Sequence, residues 1–526
     1  MEKSKPNLRQ KYKLPNPGLR AYFQHVIAGQ PEDYRPPFWK GETRETVLDR
    51  WADRLDALRV NQTMPGLAEF EAEMRTKVGP LSVQLPLSER LDSIEHYYTL
   101  INAKSVPIDN RAIESTWKAF SKAGGLRLKS IRNVVETMRL STNSGTPYFT
   151  KRRRVIAETL EQVAREDEFP YHLDHYDMAA TLGWRGQEGG PEKNDTKQRV
   201  VWMMPFSVNM IEGRFYQPAI TAWQKYNINS AYVNMRAVEE KITRLFDTKG
   251  DDYVIVTDFS KFDQHFNSHL QDAAYKLEER MLGTNRDREW WYQRFGFKFH
   301  IDLVCSEDLM YSGEHGMASG STGTNFDECC AHTAMQHECA ILNGATLNPY
   351  SNAYGDDGYL SFKGIDVDKV ISAYTSHGQE MNPEKQSADK HSAVYLRRYF
   401  HDSYRDKKGI MLGVYSTFRA LGRLLGQERY YDPEIWSKEM VELRALSIIE
   451  NCSNHPAFHQ FVDFCMTGDR YRLGLDIPGF LDSLPKQVKR ATELIPDFMG
   501  YTKTLQSDDA TGIMNWAVVK YLRSKL

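Results

Sequence analysis

The stretch NAYGDDGYLSF, residues 352–362, constrains the fold more than any other, because it sets two adjacent carboxylates, Asp356 and Asp357, on a predicted tight turn. Tyr354 on one side and Tyr359, Leu360 and Phe362 on the other suit short strands, and Asp-Gly is a strong tight-turn signal. A hairpin with both carboxylates at its tip is therefore expected. Like charges side by side repel, and a turn needs only one Asp beside its Gly. The second is explained if the tip binds a cation.

A second acidic pair precedes it. Tyr253-Val254-Ile255-Val256 is a run of strand formers, Asp258 follows, and Asp263 comes five residues later in DFSKFDQ. If the hairpin tip lies beside that strand end, three or four carboxylates converge. Oxygen ligands without His or Cys suit Mg²⁺ or Mn²⁺ rather than zinc. Two such ions about 3.5–4 Å apart can activate an attacking hydroxyl and stabilise the leaving oxygens of a phosphoryl displacement. That chemistry is nucleotidyl transfer.

At 526 residues the chain is too long for a small binding module, and several subdomains are expected. Lys+Arg 68 against Asp+Glu 70 leaves a formal net charge of -2, so a polyanion must be held by local basic clusters. Six cysteines without regular spacing do not form a disulfide framework. The N-terminus lacks an apolar leader, and no stretch is apolar enough to span a bilayer, so a soluble intracellular protein is expected. Residues 1–20 read as an extended basic arm. Residues 44–140 read as a helical lobe, with Val47, Trp51, Leu55 and Leu58 on one apolar face. The run 183–201, with Arg185, Lys193, Lys197 and Arg199, reads as a mobile basic loop entering a strand. From about 405 helices dominate again, one of them capped by Asp432 with Pro433 in its first turn.

D-x4-D after a strand, SGSTGTN at 319–325 opening a helix, and GDD at 355–357 follow in an order that resembles motifs A, B and C of viral RNA-dependent RNA polymerases. DFSKFDQHFN and SGSTGTN are most similar to the polymerases of picobirnaviruses, double-stranded RNA viruses with partitivirus-like relatives. The resemblance implies an α+β right-hand fold with a mainly antiparallel palm sheet and helix-rich fingers and thumb. Its divisions would be 1–69 bridging fingers and thumb, 70–246 fingers, 247–280 palm, 281–330 fingers and palm, 331–400 palm, and 401–526 thumb with a C-terminal segment.

Carried over by position, Asp258 and Asp356 are the principal ligands of two Mg²⁺ or Mn²⁺ ions, with Asp357 an adjunct. Asp263 helps to recognise the ribose 2′-hydroxyl, which distinguishes RNA from DNA chemistry. Ser319 and Gly320 open the motif B loop, where glycine permits close approach of the template. Thr324 continues into its helix. The sugar-reading Asn of picornavirus-like enzymes falls at Glu328, so Asn325 takes that role here. The basic run resembles motif F, with Lys197 and Arg199 matching best for triphosphate binding, and Arg185 and Lys193 as further candidates. NPEKQS and AVYLRRYF resemble motifs D and E, giving Lys385 as general acid with Lys390 as competitor, and Arg397 and Arg398 as product-strand contacts.

The implied activity is template-directed RNA synthesis from NTPs on single- and double-stranded RNA, in a monomer inside a viral capsid and in the host cytoplasm, without a membrane. The aromatic segment 501–522 is a candidate priming platform for primer-independent initiation. A reverse transcriptase shares palm and metals, but Asp263 stands where such enzymes favour a bulky sugar-excluding residue. An RNA-binding capsid or replication scaffold would gain nothing from the carboxylate cluster. In ECCAHTAMQHECA, Cys329, Cys330, His332, His337 and Cys339 lack the paired short spacings of zinc sites and read as core residues.

Overall fold

The computed structural model describes residues 1–4, 17–166, 179–432, 434–494 and 512–526. The strands are β1 (Glu2–Ser4), β2 (Ala180–Gln187), β3 (Lys197–Met203), β4 (Val254–Thr257), β5 (Phe259–Ser260), β6 (Leu303–Val304) and β7 (Met310–Ser312). They continue with β8 (Asn352–Tyr354), β9 (Asp357–Leu360), β10 (Glu380–Met381), β11 (Ser387–Asp389), β12 (Ser392–Tyr395), β13 (Arg398–His401) and β14 (Val414–Tyr415). Helices outnumber strands, and most strand pairs are antiparallel, so the fold is α+β.

The chain divides into two compact units. The first comprises residues 1–28, 86–184 and 200–395. Its four-stranded antiparallel sheet runs β11-β4-β9-β8, with Val254, Ile255 and Val256 on β4 and one Tyr on each strand of the β8–β9 pair. Behind it lies an apolar core that includes Trp223, Ile255, Phe262, Trp291, Phe326, Leu360 and Tyr374. The Thr324–Leu342 helix is buried along most of its length, its polar Asp327, Glu328, His332 and Gln336 included, which is why its sequence is not amphipathic. The second unit comprises 29–85, 185–199 and 396–526. In it Glu71, almost fully buried, accepts hydrogen bonds from Thr417 N (2.8 Å) and Thr417 Oγ1 (2.6 Å) and faces His455 Nε2 at 2.9 Å. Burial raises the Glu71 carboxyl, but these partners hold it below its ordinary value.

Several local expectations are corrected. The 44–140 region is not one lobe, since residues up to 85 belong to the second unit and those beyond to the first. Val47, Trp51 and Leu55 are buried, whereas Leu58 is exposed, because the Arg44–Ala57 helix stops before it and the chain turns at Arg59 (φ 57). The basic run is mostly a β-hairpin rather than a loop, since β2 and β3 are neighbours in one sheet and only 188–196 connect them. Asp432 caps no long helix. Its side chain accepts from Glu434 N at 3.0 Å in a local turn, while the Lys438–Glu450 helix starts behind Ser437, whose hydroxyl accepts from Met440 N. Pro433 lies outside the described residues.

The N-terminal segment is not wholly an extended arm. Glu2–Ser4 pairs with β7, and a helix begins at Pro17. Residues 501–511 of the expected priming segment also lie outside the described residues. The following Ala517–Arg523 helix receives Glu450 at its start, with Ala517 N and Val518 N donating at 3.0 and 2.9 Å. No helix among the described residues is long and apolar enough to cross a membrane.

Candidate active site

β4 ends at Thr257, and exposed Asp258 follows directly. Its backbone is gripped by one side chain. Asp258 N donates to Gln386 Oε1 at 3.0 Å, and Gln386 Nε2 donates to Asp258 O at 2.8 Å and to Asn382 O at 2.9 Å. The last β4–β9 pair is Thr257 with Gly358, so one register step further Asp258 comes level with Asp357.

β8 and β9 form the expected hairpin, but its turn sits one residue earlier than a tip formed by Asp356 and Asp357 together. Tyr354 pairs with Asp357, leaving Gly355 and Asp356 as the central residues. Gly355 has φ 64 whereas Asp356 does not have positive φ, the pattern of a II′ turn. Asp356 is thus at the tip, and Asp357 already belongs to β9. Gly358 has a packing reason instead: a Cβ there would lie 2.6 Å from His332 Cε1.

The turn is held from beneath by a stripe on the Thr324–Leu342 helix at 325, 329, 332 and 336, the spacing of one helical face. Gly355 N donates to Cys329 Sγ at 3.2 Å, and His332 Nδ1 lies 2.9 Å from Gly355 O. That carbonyl fixes the Nδ1–H tautomer, and burial pulls the His332 pKa down to about 4. Gln336 Nε2 donates to Asn352 O and Tyr359 O at 3.1 and 3.2 Å, one on each strand. The Cys and His residues that invite a metal reading therefore include two that anchor the acidic turn.

Glu328, on the same helix, is buried, and its carboxyl is pushed well above the ordinary range by burial and then by Asp263 and Asp356. That upward shift favours the neutral carboxyl at Glu328, which lets it share a site with Asp263 where two charges would repel. Asp263 opens a short 3₁₀ turn, with its carbonyl accepting from Met317 N at 2.8 Å. Asn325 Oδ1 accepts from Tyr232 OH at 2.7 Å, and its Nδ2 would lie 2.9 Å from a Cβ at Gly355. Asp263, Asn325, Glu328 and Asp356 are thus brought together around the turn. Among the described residues no three potential ligands are already gathered around one point. The all-oxygen donor set of Asp258, Asp356 and Asp357 nonetheless suits a hard divalent cation.

The loop before the helix is tied to β3. Trp202 N donates to Ser319 Oγ at 3.2 Å, and a Cβ at Gly320 would fall 1.8 Å from Trp202 O, so glycine here admits the chain's own backbone. Thr324 Oγ1 donates to Ala318 O at 2.9 Å. Glu212 takes the loop's middle, accepting from Ser321 Oγ and Thr322 N at 2.9 Å each. Below it, Lys298 Nζ pairs with Asp327 Oδ2 at 2.6 Å, both fully buried. Burial alone lowers the Lys298 pKa, but Asp327, Glu212 and Glu278 together hold it above its ordinary value. Burial pushes Glu212 up, and Glu278 well up with the help of Asp327.

The basic candidates have varied surroundings. Lys385 is exposed, beside Gln386 and hence at the Asp258 end of β4. Lys390 instead pairs with Asp251 at 2.9 Å, at the other end of that strand. Lys197 and Arg199 are exposed on one face of β3. Arg185 on β2 lies 3.6 Å from Glu428, and Lys193 Nζ donates to Pro31 O at 3.0 Å. Arg397 has φ 60 and lies 3.9 Å from Glu188. Arg398 is committed inside the second unit, donating to Asn451 O at 2.8 Å and stacking over Tyr415. Gln386, Glu328, Cys329 and His332 escape sequence reasoning as site residues. Only the helical stripe offers a readable signal for the last two.

The chain is similar to known proteins in sequence and in structure. A sequence model of the family "Viral RNA-dependent RNA polymerase" matches residues 130–411. A potential RNA-dependent RNA polymerase of Human picobirnavirus (strain Human/Thailand/Hy005102/-) is 48% identical, covering 99% of each chain. The crystal structure of the RNA-dependent RNA polymerase of a human picobirnavirus superposes with TM-score 0.91 at 47% identity, covering 100% of each chain. An insertion-loop deletion mutant of such an enzyme gives 0.90 at 44% identity, again over 100% of each chain. With an acidic hairpin set beside a strand-end carboxylate and likeness over its full length, the chain belongs to the viral RNA-dependent RNA polymerases, enzymes that synthesise RNA on an RNA template.

Proposed function

We propose that this polymerase copies single-stranded viral RNA into duplex and transcribes the duplex, starting without a primer, inside a capsid and in the host cytoplasm. In each cycle a 3′-hydroxyl attacks the α-phosphate of a bound ribonucleoside triphosphate, and pyrophosphate leaves. Two Mg²⁺ or Mn²⁺ ions held by Asp258, Asp356 and Asp357 would supply charge neutralisation and activation of the hydroxyl. Asp263, with Asn325 and Glu328 beside it, receives the ribose hydroxyls. Lys197 and Arg199 take the triphosphate, Arg185 and Lys193 extend that basic surface, and Lys385 gives its proton to the departing pyrophosphate. Ser319, Gly320 and Thr324 shape the loop against the template, and Arg397 and Arg398 lie along the product strand. The right-hand division follows the boundaries 1–69, 70–246, 247–280, 281–330, 331–400 and 401–526. The enzyme works as a monomer, with capsid protein as its partner.

One observation supports this reading above the others: Asp258 is fixed level with Asp357 by β4–β9 register, while the turn carrying Asp356 is pinned from beneath by Cys329 and His332. Carboxylates held by backbone clamps on rigid elements are what a preorganised phosphoryl-transfer site requires. The test is incorporation of labelled NTPs on unprimed single-stranded RNA with Mg²⁺ or Mn²⁺. Incorporation that disappears in Asp356→Ala and is not sustained by dNTPs is expected. Equal incorporation by both proteins would refute the acidic-turn assignment. Replacing residues 501–511 by a short flexible linker should abolish unprimed but not primed synthesis; unchanged unprimed synthesis would remove the priming-platform reading.

A further inference from the structure

The first unit holds a cavity of about 690 Å³ on the side of the hairpin where β8 begins. It is bordered by the ends of the Asn110–Phe120 and Thr324–Leu342 helices, by the Met235–Thr248 helix and by the approach to β8. Four cations line it, Lys118, Lys122, Lys241 and Arg244, against one carboxylate, Glu240, already taken by Arg236 at 3.4 Å. None of the four forms an ion pair among the described residues. Lys241 is the most enclosed of them. Its Nζ donates only to neutral acceptors, Asn352 Oδ1 at 2.9 Å and Ile228 O at 3.4 Å, and burial pulls its pKa down to about 8. An ammonium withdrawn from water without a counter-charge gains from any anion that enters.

Besides charge, the cavity has flat surfaces. At its rim the residue Tyr226 is 42% exposed, and Arg244 stacks over Tyr350 at 5.8 Å. His337 also lines the wall, kept neutral by burial, which brings its pKa down to about 4. A neutral imidazole carries one donor and one acceptor, matching the edge of a base. The volume is that of a small-molecule site.

We infer that this cavity is a second nucleotide site, binding a 5′-triphosphorylated nucleotide with its phosphates against Lys118, Lys122, Lys241 and Arg244 and its base against Tyr226. The ligand would sit one hydrogen bond from the acidic hairpin. Asn352 Nδ2 donates to Asn229 Oδ1 (3.0 Å) and Tyr395 OH (2.8 Å), and Asn229 Nδ2 donates to Ala353 O (2.7 Å). Occupancy therefore stiffens the start of β8. Binding itself does not depend on the assignment of the catalytic carboxylates; only its consequence for catalysis does.

The test uses the full chain carrying Asp356→Ala, in EDTA, with ATP bearing a fluorophore on the ribose and anisotropy as readout. One equivalent should bind, weakened about tenfold or more by Lys122→Ala, and likewise by Lys241→Met. Arg199→Ala should leave it unchanged. Absence of binding, or binding lost with Arg199→Ala and kept in Lys122→Ala, overturns the inference. So does displacement by inorganic pyrophosphate at the same concentration as by unlabelled ATP, because a phosphate site alone needs no base. A 5′-triphosphorylated oligoribonucleotide displacing the probe below the ATP concentration required would identify the natural source as an RNA end. The reverse order would identify it as free nucleotide, and both support the site.

Discussion

Gly320→Ala should damage the enzyme through its own backbone. The added Cβ would lie 1.8 Å from Trp202 O and 3.0 Å from the carbonyl carbon, where side-chain carbons essentially never come within 3.0 Å of another heavy atom. The loop and β3 must therefore separate by at least about 1.2 Å. That movement breaks the bond from Trp202 N to Ser319 Oγ (3.2 Å) and the weaker one from Ser319 Oγ to Val200 O (3.4 Å). The hydrogen bonds contribute about 1 kcal/mol each, and overpacking of a tight site adds about 1–3 kcal/mol. A loss of roughly 3–5 kcal/mol follows. Ser319→Ala removes the hydroxyl and both of these bonds without the collision and should cost about 2 kcal/mol. Gly296→Ala, with nothing within 4 Å of its Cβ, serves as the neutral control. The assay is urea unfolding followed by tryptophan fluorescence, reading the first transition because two units need not unfold together, alongside primed RNA extension. If Gly320→Ala matched Gly296→Ala in midpoint and rate, the argument from backbone approach would be wrong.

Gly355→Ala forces a side chain into φ 64 and against Asn325 Nδ2 and Glu328 Oε2, at 2.9 and 3.2 Å. A stability loss of about 1–2 kcal/mol with a larger fall in RNA synthesis is expected; unaltered kcat and KM would contradict it. Lys298→Met leaves Asp327 buried without its cation and should cost about 3–5 kcal/mol in denaturant unfolding, an expectation that wild-type stability would refute. Gln386→Ala removes both clamps on the exposed Asp258 backbone, so kcat should drop with an unchanged melting temperature. His337, at about 4 when folded, resists a proton that the unfolded chain accepts near pH 6.5. Its contribution is full above pH 6.5 and is lost as pH falls towards 4, by up to about 1.4 kcal/mol per unit. His337→Gln should flatten that acid limb, and parallel wild-type and variant profiles would exclude the effect.

Local chemistry made some of the site readable. A run of β-branched residues ending at Asp258 and a hairpin carrying Asp356 both follow from pattern alone, and both are present. The one-residue offset of the turn was hidden because Gly355 and Gly358 look equivalent in sequence, and only three-dimensional packing assigns positive φ to one and the approach of His332 to the other. Asp432 illustrates the same limit, since a good capping residue closed a local turn while Ser437 started the helix. The basic run reads as a loop because its glycines and charges mask the pairing of β2 with β3, a tertiary preference overriding local propensity. Glu328 was legible as an oddity of position, but the upward shift of its carboxyl arises from burial and then from Asp263 and Asp356, which no local pattern brings near.

The charged cluster beneath the motif B loop has a consequence for how the molecule assembles. Glu212, Glu278, Lys298 and Asp327 reside on separate segments of the first unit, 115 residues apart at the extremes, yet each is buried only in the others' company. No one of them can leave water early without its partners, so they dehydrate together after the long-range contacts exist. Substitutions there should leave the rate of refolding nearly untouched and accelerate unfolding, making this cluster a late latch on the nascent enzyme.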